Sequence, residues 1–357
     1  MKNLFSILLI ISISIIMCFT LSSCNNDRQQ EATLIFELTE DGCNYRVIGY
    51  EGIPKHVVIP SVYNGKPVIE IGNEYEDTYK SSAFMNCNSL ESIYIPKSIR
   101  RISKYTFLGC SKIAFYLEAI KQNPHWEACG IFDKGSIVLN VQNYGVDDNG
   151  IMWATTNDNP QQIIITGYSG SSINTLVIPS KINDIPVSQI SENAFRNCST
   201  IKNIEIPNGV STLNSCLFLN CTNLETVTIP ASVSYISKSA FLECANLKTI
   251  FVDNDNPYYK SIDGNLYSKD GATLYLYTVG KSDESFSIPI HVTTIDEYAF
   301  YKSNLEKIII PSSVSAVKSN AFLQCKNLTI YCELPEKPDC WPYTWVDNAN
   351  VVWGYSE

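Results

Sequence analysis

Histidine is scarce in this chain. There are three in 357 residues, at positions 56, 125 and 291, and no nucleophile motif adjoins any of them. The patterns G-x-S-x-G, H-E-x-x-H and the glycine-rich phosphate loop are missing, so nothing points to hydrolytic, metalloprotease or nucleotide chemistry. C-x-x-C is missing too, and no cysteine–histidine cluster has zinc spacing. No catalytic residue, metal site or cofactor is therefore expected. Charge is also sparse. Only 17% of residues are charged, and the net charge is −10. An acidic surface poor in lysine excludes nucleic acid as a partner, and excludes charge-driven adhesion to anionic lipid.

What the sequence has instead is repetition. Leu224–Leu247 can be written L-x-x-[VI]-x-I-P-x-x-V-x-x-I-x-x-x-A-F-x-x-C-x-x-L. Pro207 and Pro230 hold the same slot 23 residues apart, and the slot returns at Pro60, Pro96, Pro179, Pro289 and Pro311. A fixed period in this range is the mark of a solenoid. Val227 and Ile229 alternate with Thr226 and Thr228, as in a strand with one buried face. Pro230 lacks an amide hydrogen and ends the strand. Val233 and Ile236 turn inward again. Ala240 and Phe241 are expected to fill the back of the coil in a short 3₁₀ or helical turn. One coil cannot bury its apolar side alone, whereas stacked coils can.

The phrase resembles the BspA-type leucine-rich repeat of bacterial surface proteins. I-x-I-P stands at Ile204–Pro207, Val227–Pro230 and Ile308–Pro311. A-F-x-x-C stands at Ala83–Cys87, Ala194–Cys198, Ala240–Cys244 and Ala321–Cys325. Thr106 and Leu217 replace the alanine, and Ser303 replaces the cysteine. The expected fold is a mainly β leucine-rich-repeat solenoid, horseshoe-like, with β-hairpin insertions and caps. The resemblance implies adhesion.

The first 23 residues read as a lipoprotein signal peptide. Lys2 precedes an apolar run, and Leu21-Ser22-Ser23-Cys24 matches a lipobox in which Cys24 carries the lipid anchor. The run is short for a spanning helix. Asn25 does not look like an inner-membrane retention aspartate, which favours the outer membrane and leaves its sides undecided. Residues 24–32 form a polar tether.

Two tandem blocks follow, 33–142 and 143–357, each opening, coiling and closing. Ile113–Ala119 matches Leu328–Leu334, and both stretches are followed by proline, tryptophan and an apolar strand, as in a closing cap. The opening motif Ile48-Gly49-Tyr50 returns as Thr166-Gly167-Tyr168. One continuous solenoid with a central insertion is the alternative. Asn73–Ser82 is an acidic insertion that bears Tyr75 and Tyr79. Glu40-Asp41-Gly42, Asp148-Asn149-Gly150, Asp263-Gly264 and Asp270-Gly271 predict hairpins.

Of the 13 cysteines, six share the repeat slot: Cys87, Cys110, Cys198, Cys221, Cys244 and Cys325. That slot packs, so buried thiols are expected there. Cys332 and Cys340 form the pair best placed to bridge, and the sequence leaves it open. Asp253 and Asp255 resemble a calcium run, but Pro257 interrupts it and a turn fits better.

One residue of each I-x-I points outward. Tyr94, Tyr116, Val177, Glu205, Thr228, Phe251, Ile309 and Tyr331, with Val58 and Ser287, should line one stripe. Its apolar and aromatic content makes it the candidate ligand-binding surface for a protein or glycan. The cap tryptophans Trp126, Trp341, Trp345 and Trp353 are expected to plug core ends. Three functions remain in play: a lipid-anchored adhesion-like binder of a macromolecule, a periplasm-facing structural lipoprotein, and a glycan-binding accessory of polysaccharide uptake.

Overall fold

The structure is a computed structural model that describes residues 32–72, 82–110, 112–120, 126, 135–347 and 349–356. The signal peptide, Cys24, most of the tether, nearly all of the acidic insertion and His125 lie outside the described residues.

The chain is a β-solenoid of leucine-rich coils. The I-x-I strands stack in parallel into three four-stranded front sheets. The first holds His56–Val58, Ser92–Ile95, Ala114–Leu117 and Ser136–Val138. The second holds Ile173–Val177, Ile201–Glu205, Thr226–Ile229 and Thr249–Val252. The third holds Ser285–Ser287, Lys307–Ile310, Thr329–Cys332 and Asn350–Trp353. Val227 and Ile229 are fully buried while Thr226 and Thr228 are half-buried, so the period-two pattern assigned the faces as expected.

Hairpins open each front sheet. Thr33–Leu38 pairs antiparallel with Tyr45–Glu51 across Glu40-Asp41-Gly42. Ile151–Thr156 pairs with Ile163–Tyr168, and Val141–Val146 is added outside across Asp148-Asn149-Gly150. The third opening lies inside block two of the sequence reading. There Tyr259–Ile262, Asn265–Ser268 and Thr273–Leu276 form the two consecutive hairpins predicted from Asp263-Gly264 and Asp270-Gly271. Asp263 and Gly264 have φ of +50° and +78°, the paired left-handed geometry of a tight hairpin turn. In all three openings the last hairpin strand runs parallel to a strand of the next coil: Tyr45 against Val68, Ile163 against Val187, Thr273 against Thr294. The segment that carries these two hairpins is thus a third opening unit.

The A-F-x-x-C segments form the back of the coil, and they are turns, not helices. Cys198, Cys221 and Cys244 donate their N–H to Phe195, Phe218 and Phe241 at 3.0, 3.0 and 3.3 Å. The residue before each cysteine then takes positive φ: Asn86, Asn197, Asn220, Glu243 and Gln324 lie at +58° to +62°. A left-handed residue cannot continue a right-handed turn, which is why the expected 3₁₀ or helical segment stops after one rung. A 3₁₀ helix is formed by Tyr343–Trp345 near the C-terminal end.

Behind the strands the phenylalanines form columns. Phe195 and Phe218 stack at 5.5 Å, and Phe218 and Phe241 at 5.4 Å, with planes within 13°. Tyr50, Phe84 and Phe107 repeat this in the first block, and Tyr277, Phe300 and Phe322 in the last. Each buried ring contributes about 1.5–3 kcal/mol of transfer free energy. The slot cysteines are free thiols, as expected of packing residues, and Cys332 and Cys340 are not bridged. Cys332 is buried in the cap while Cys340 faces solvent, so the two thiols lie in different environments.

Candidate binding face

The stripe residues do fall into register, but in three rows, one per front sheet. Val58, Tyr94, Tyr116 and Val138 are successive partners in the first. Val177, Glu205, Thr228 and Phe251 are partners in the second. Ser287, Ile309, Tyr331 and Val352 are partners in the third. Cross-strand neighbours in a parallel sheet lie within side-chain reach, so each row acts as one surface.

The first row is largely covered from within the chain. Tyr116 is 1% exposed. Tyr144, from the opening strand of the next unit, stacks on Tyr116 at 4.6 Å and on Tyr94 at 5.4 Å. The Tyr116 hydroxyl pairs with Thr166 Oγ1 at 2.8 Å, and Ser136 donates to the Thr166 carbonyl at 2.7 Å. Ala114, Val138, Val141, Met152 and Ala154 complete a small apolar joint. Desolvation pushes the Tyr116 phenol well above its usual range and lifts Tyr144 to about 12. Tyr116 therefore belongs to an internal interface, Tyr94 to its edge, and only Val58 of this row's sequence-read residues is openly exposed. The sequence placed a cap-like strand here, yet carried no sign that Tyr144 would fold back over it.

The second row is open. Val177 and Phe251 are more than half exposed, Glu205 is exposed, and Thr228 is half-buried between them. A second outward row lies two residues earlier: Thr175, Asn203, Thr226 and Thr249. Its side chains bond to one another. Thr226 donates to Asn203 Oδ1 at 2.7 Å, and Asn203 Nδ2 reaches Thr175 Oγ1 at 3.4 Å. Sequence reasoning took one outward residue per strand and missed this polar row, although the same alternation encodes it.

In the third row Ile309 and Tyr331 are half-buried and Ser287 is exposed. Tyr331 meets Tyr355 with ring centroids 4.9 Å apart, and the Lys307 ammonium lies 5.1 and 5.3 Å from the two rings. Cation–π contact holds the lysine over the pair. The result is a small aromatic and cationic platform that the stripe reading only half anticipated.

Other candidates resolve as structural. His56 Nδ1 lies 2.9 Å from Ser92 Oγ, and its Nε2 lies 3.9 Å from Glu91 Oε2. Burial, aided by Lys55, pulls the imidazole down to about 4. Asp253 Oδ1 accepts the Asp255 N–H at 2.9 Å, which makes the acidic run a turn. Asp147 does the same for Asn149 and Ile151. Trp126 is buried in the first core, Trp341 and Trp345 are buried at the C-terminal end, and Trp353 packs against those two. Among the described residues no three His, Cys, Asp or Glu side chains gather as metal ligands, and no helix is long and apolar enough to cross a membrane.

Comparison with known proteins agrees with this architecture. No curated protein matches the chain. Solved structures to which the chain shows similarity include a leucine-rich cell surface protein of Faecalibacterium prausnitzii, 20% identical, covering 87% of this chain and 76% of that one with a TM-score of 0.39. A leucine-rich repeat protein of Bacteroides ovatus is 19% identical over 89% and 75% of the two chains, with a TM-score of 0.38. The pneumococcal vaccine antigen PcpA is 17% identical over 91% and 84%, with a TM-score of 0.41. The model of the BspA type leucine rich repeat region matches six copies over residues 69–121, 161–270 and 275–338. With more than half of the chain matched, and with the strand register and ring columns described above, this chain belongs to the BspA-type leucine-rich repeat family.

Proposed function

We propose that this chain is a non-catalytic, extracytoplasmic binding protein, anchored by lipid on Cys24, that takes a macromolecular ligand on its second and third front rows. The observation that carries the reading is the second row. Two large apolar side chains, Val177 and Phe251, stand in solvent at either end of a rigid four-strand ladder. An apolar pair held on a stiff sheet, flanked by hydroxyl and amide groups that are already ordered, loses little entropy when a partner covers it. The family and its surface-protein relatives agree with a place on the cell surface.

The test is a binding assay with the soluble chain from residue 25 onward, immobilised against matrix proteins and cell extracts. Phe251→Ser and Val177→Ser should each weaken capture of the same partner by roughly tenfold or more with an unchanged melting temperature. Capture that survives both substitutions would exclude this face. Metabolic labelling with palmitate, lost in Cys24→Ser, tests the anchor, and protease shaving of intact cells tests exposure against a periplasm-facing structural role.

The Tyr331–Tyr355–Lys307 platform supports a second reading, a glycan-binding accessory of polysaccharide uptake. Paired aromatic rings beside a donor are the kind of surface on which sugars stack. A glycan array that shows signal lost in Tyr355→Ala would favour it, and background signal throughout would count against it.

A further inference from the structure

The three ring columns do not end alike. In the last unit, Trp345 closes the column: its ring meets Phe322 at 5.6 Å edge-on, and its carbonyl accepts the Phe322 N–H at 3.1 Å. The preceding carbonyl, of Thr344, accepts from Asn320 at 2.7 Å. In the first unit the buried Trp126 joins the core that holds Phe107 and Phe115. The middle column ends at Phe241 with no tryptophan. There the chain leaves for the third opening hairpin, and the next ring along, Tyr277, belongs to the following column.

The space where the closing tryptophan would lie is a cleft of about 450 Å³ lined by Phe241, Leu242, Leu247, Leu276, Tyr277 and Thr278, among others. Its rim is polar. Glu243 reaches across to Lys302 at 2.6 Å and accepts from the Tyr301 hydroxyl at 2.6 Å. One backbone rung is also missing. Four column phenylalanines donate their N–H to the next coil: Phe84 to the Thr106 carbonyl at 3.1 Å, Phe195 to that of Leu217 at 3.0 Å, Phe218 to that of Ala240 at 2.8 Å, and Phe300 to that of Ala321 at 2.8 Å. Among the described residues no backbone carbonyl accepts the Phe241 N–H. The cleft therefore presents a ring face and an amide donor side by side, which Phe322 also does before Trp345 satisfies both.

We propose that this cleft binds a tryptophan-bearing peptide segment, its indole packed on Phe241 and its backbone carbonyl accepting the Phe241 N–H, so that a partner supplies the closing residue which the middle unit lacks. The site is on the loop side of the solenoid and is independent of the front rows. A peptide fits better than a sugar or a free aromatic compound, because the cleft asks for a ring and a carbonyl at the spacing of one residue. An aromatic group in such a pocket is the usual anchor of a protein interface.

A direct probe exists in the chain itself. A synthetic peptide of residues 338–346, with its cysteine changed to serine and a fluorophore at one end, carries the closing sequence of the last unit. Titrated into the chain from residue 25 onward, it should bind saturably and shift the Phe241 amide resonance. The same peptide with both tryptophans changed to alanine should bind roughly tenfold or more weakly. Ala245→Trp, which places an indole at the cleft mouth, should weaken the parent peptide by a similar factor while the melting temperature holds. Absence of saturable binding, equal binding of the alanine peptide, an unmoved Phe241 amide, or full binding to folded Ala245→Trp would each overturn the proposal. Free indole that matches the peptide's affinity would also overturn it, because the carbonyl would then contribute nothing.

Discussion

The thiol of Cys244 points one coil back and donates to the carbonyl oxygen of Phe218 at 3.0 Å. Cys221 does the same to Phe195 at 2.8 Å, Cys110 to Phe84 at 3.1 Å, and Cys325 to Phe300 at 3.0 Å. Cys87 and Cys198 stand in the first A-F-x-x-C turn of their columns, with no phenylalanine turn behind them, and meet Ser89 and Thr200 hydroxyls instead. The repeat cysteine is thus a small apolar plug with one weak donor aimed at the neighbouring coil. Burial lifts the Cys325 thiol to about 11 and that of Cys332 to about 12. Iodoacetamide at mildly alkaline pH should label Cys43 and Cys340 in the native protein, and should reach the slot cysteines only after denaturation. Cys244→Ala should cost about 1–2 kcal/mol and Cys244→Ser less, since a hydroxyl keeps a donor. Chemical denaturation of the two variants checks the order.

The ring columns make a graded prediction. Phe218 is stacked on both faces, by Phe195 and Phe241, whereas Phe241 has a ring on one face and the cleft on the other. Phe218→Ala should cost on the order of 3–5 kcal/mol, and Phe241→Ala should fall at or below the low end of that range. Thr228→Ala should change almost nothing, because its side chain faces outward. Equal losses at Phe218 and Thr228 would mean that the faces are reversed.

These faces were legible in the sequence because strand alternation and the constant A-F-x-x-C spacing depend only on local geometry. Val227, Ile229, Phe195, Phe218 and Phe241 could be placed by counting. The tight turns were legible for the same reason: Asp263-Gly264 is a two-residue signal. The covered first row was not legible, since Tyr144 reaches Tyr94 and Tyr116 only after an intervening strand has closed its sheet. The cleft was hidden as well. It arises from what the middle column lacks at its end, and a missing cap shows only when the three columns are compared in space. The length of the back turns was not legible: each stops after one hydrogen-bonded turn because a left-handed residue, asparagine at 86, 197 and 220, follows it.

His56 should give the protein a small acid sensitivity, reduced by solvent because its side chain is 38% exposed. Its ring is held near pKa 4 against an ordinary value of 6.5, first by burial and then by Lys55. Between those values the unfolded chain takes up a proton that the folded chain refuses, so stability falls as pH drops from 6.5 towards 4. Above that window the group contributes no penalty, and below it the penalty is complete. Glu91, which faces the ring, is raised by its own burial and so titrates with the opposite slope. Melting temperatures at pH 7 and pH 5 should therefore differ less in His56→Gln than in the parent. An unchanged difference would show that other groups set the acid response.

Tyr144 is the residue on which the junction between the first unit and the rest depends. It covers Tyr94 and Tyr116, while the Thr166 hydroxyl and carbonyl take up the polar groups of Tyr116 and Ser136 beneath. The joint has its own small apolar cluster, separate from the larger cores on either side. A junction of that size is stable only while its cover is intact, since removing a large ring leaves a cavity and a wet aromatic face, at a cost of about 3–5 kcal/mol if the site does not collapse. Tyr144→Ala should consequently uncouple the first unit from its neighbours without unfolding either. Calorimetry of the variant should resolve two transitions where the parent shows fewer, and limited proteolysis should cut near residues 146–150 first. A single transition with unaltered cleavage would mean that the hydrogen bonds to Thr166 hold the joint unaided. Tyr144→Phe keeps the ring and should behave as the parent, which separates loss of cover from loss of a hydroxyl.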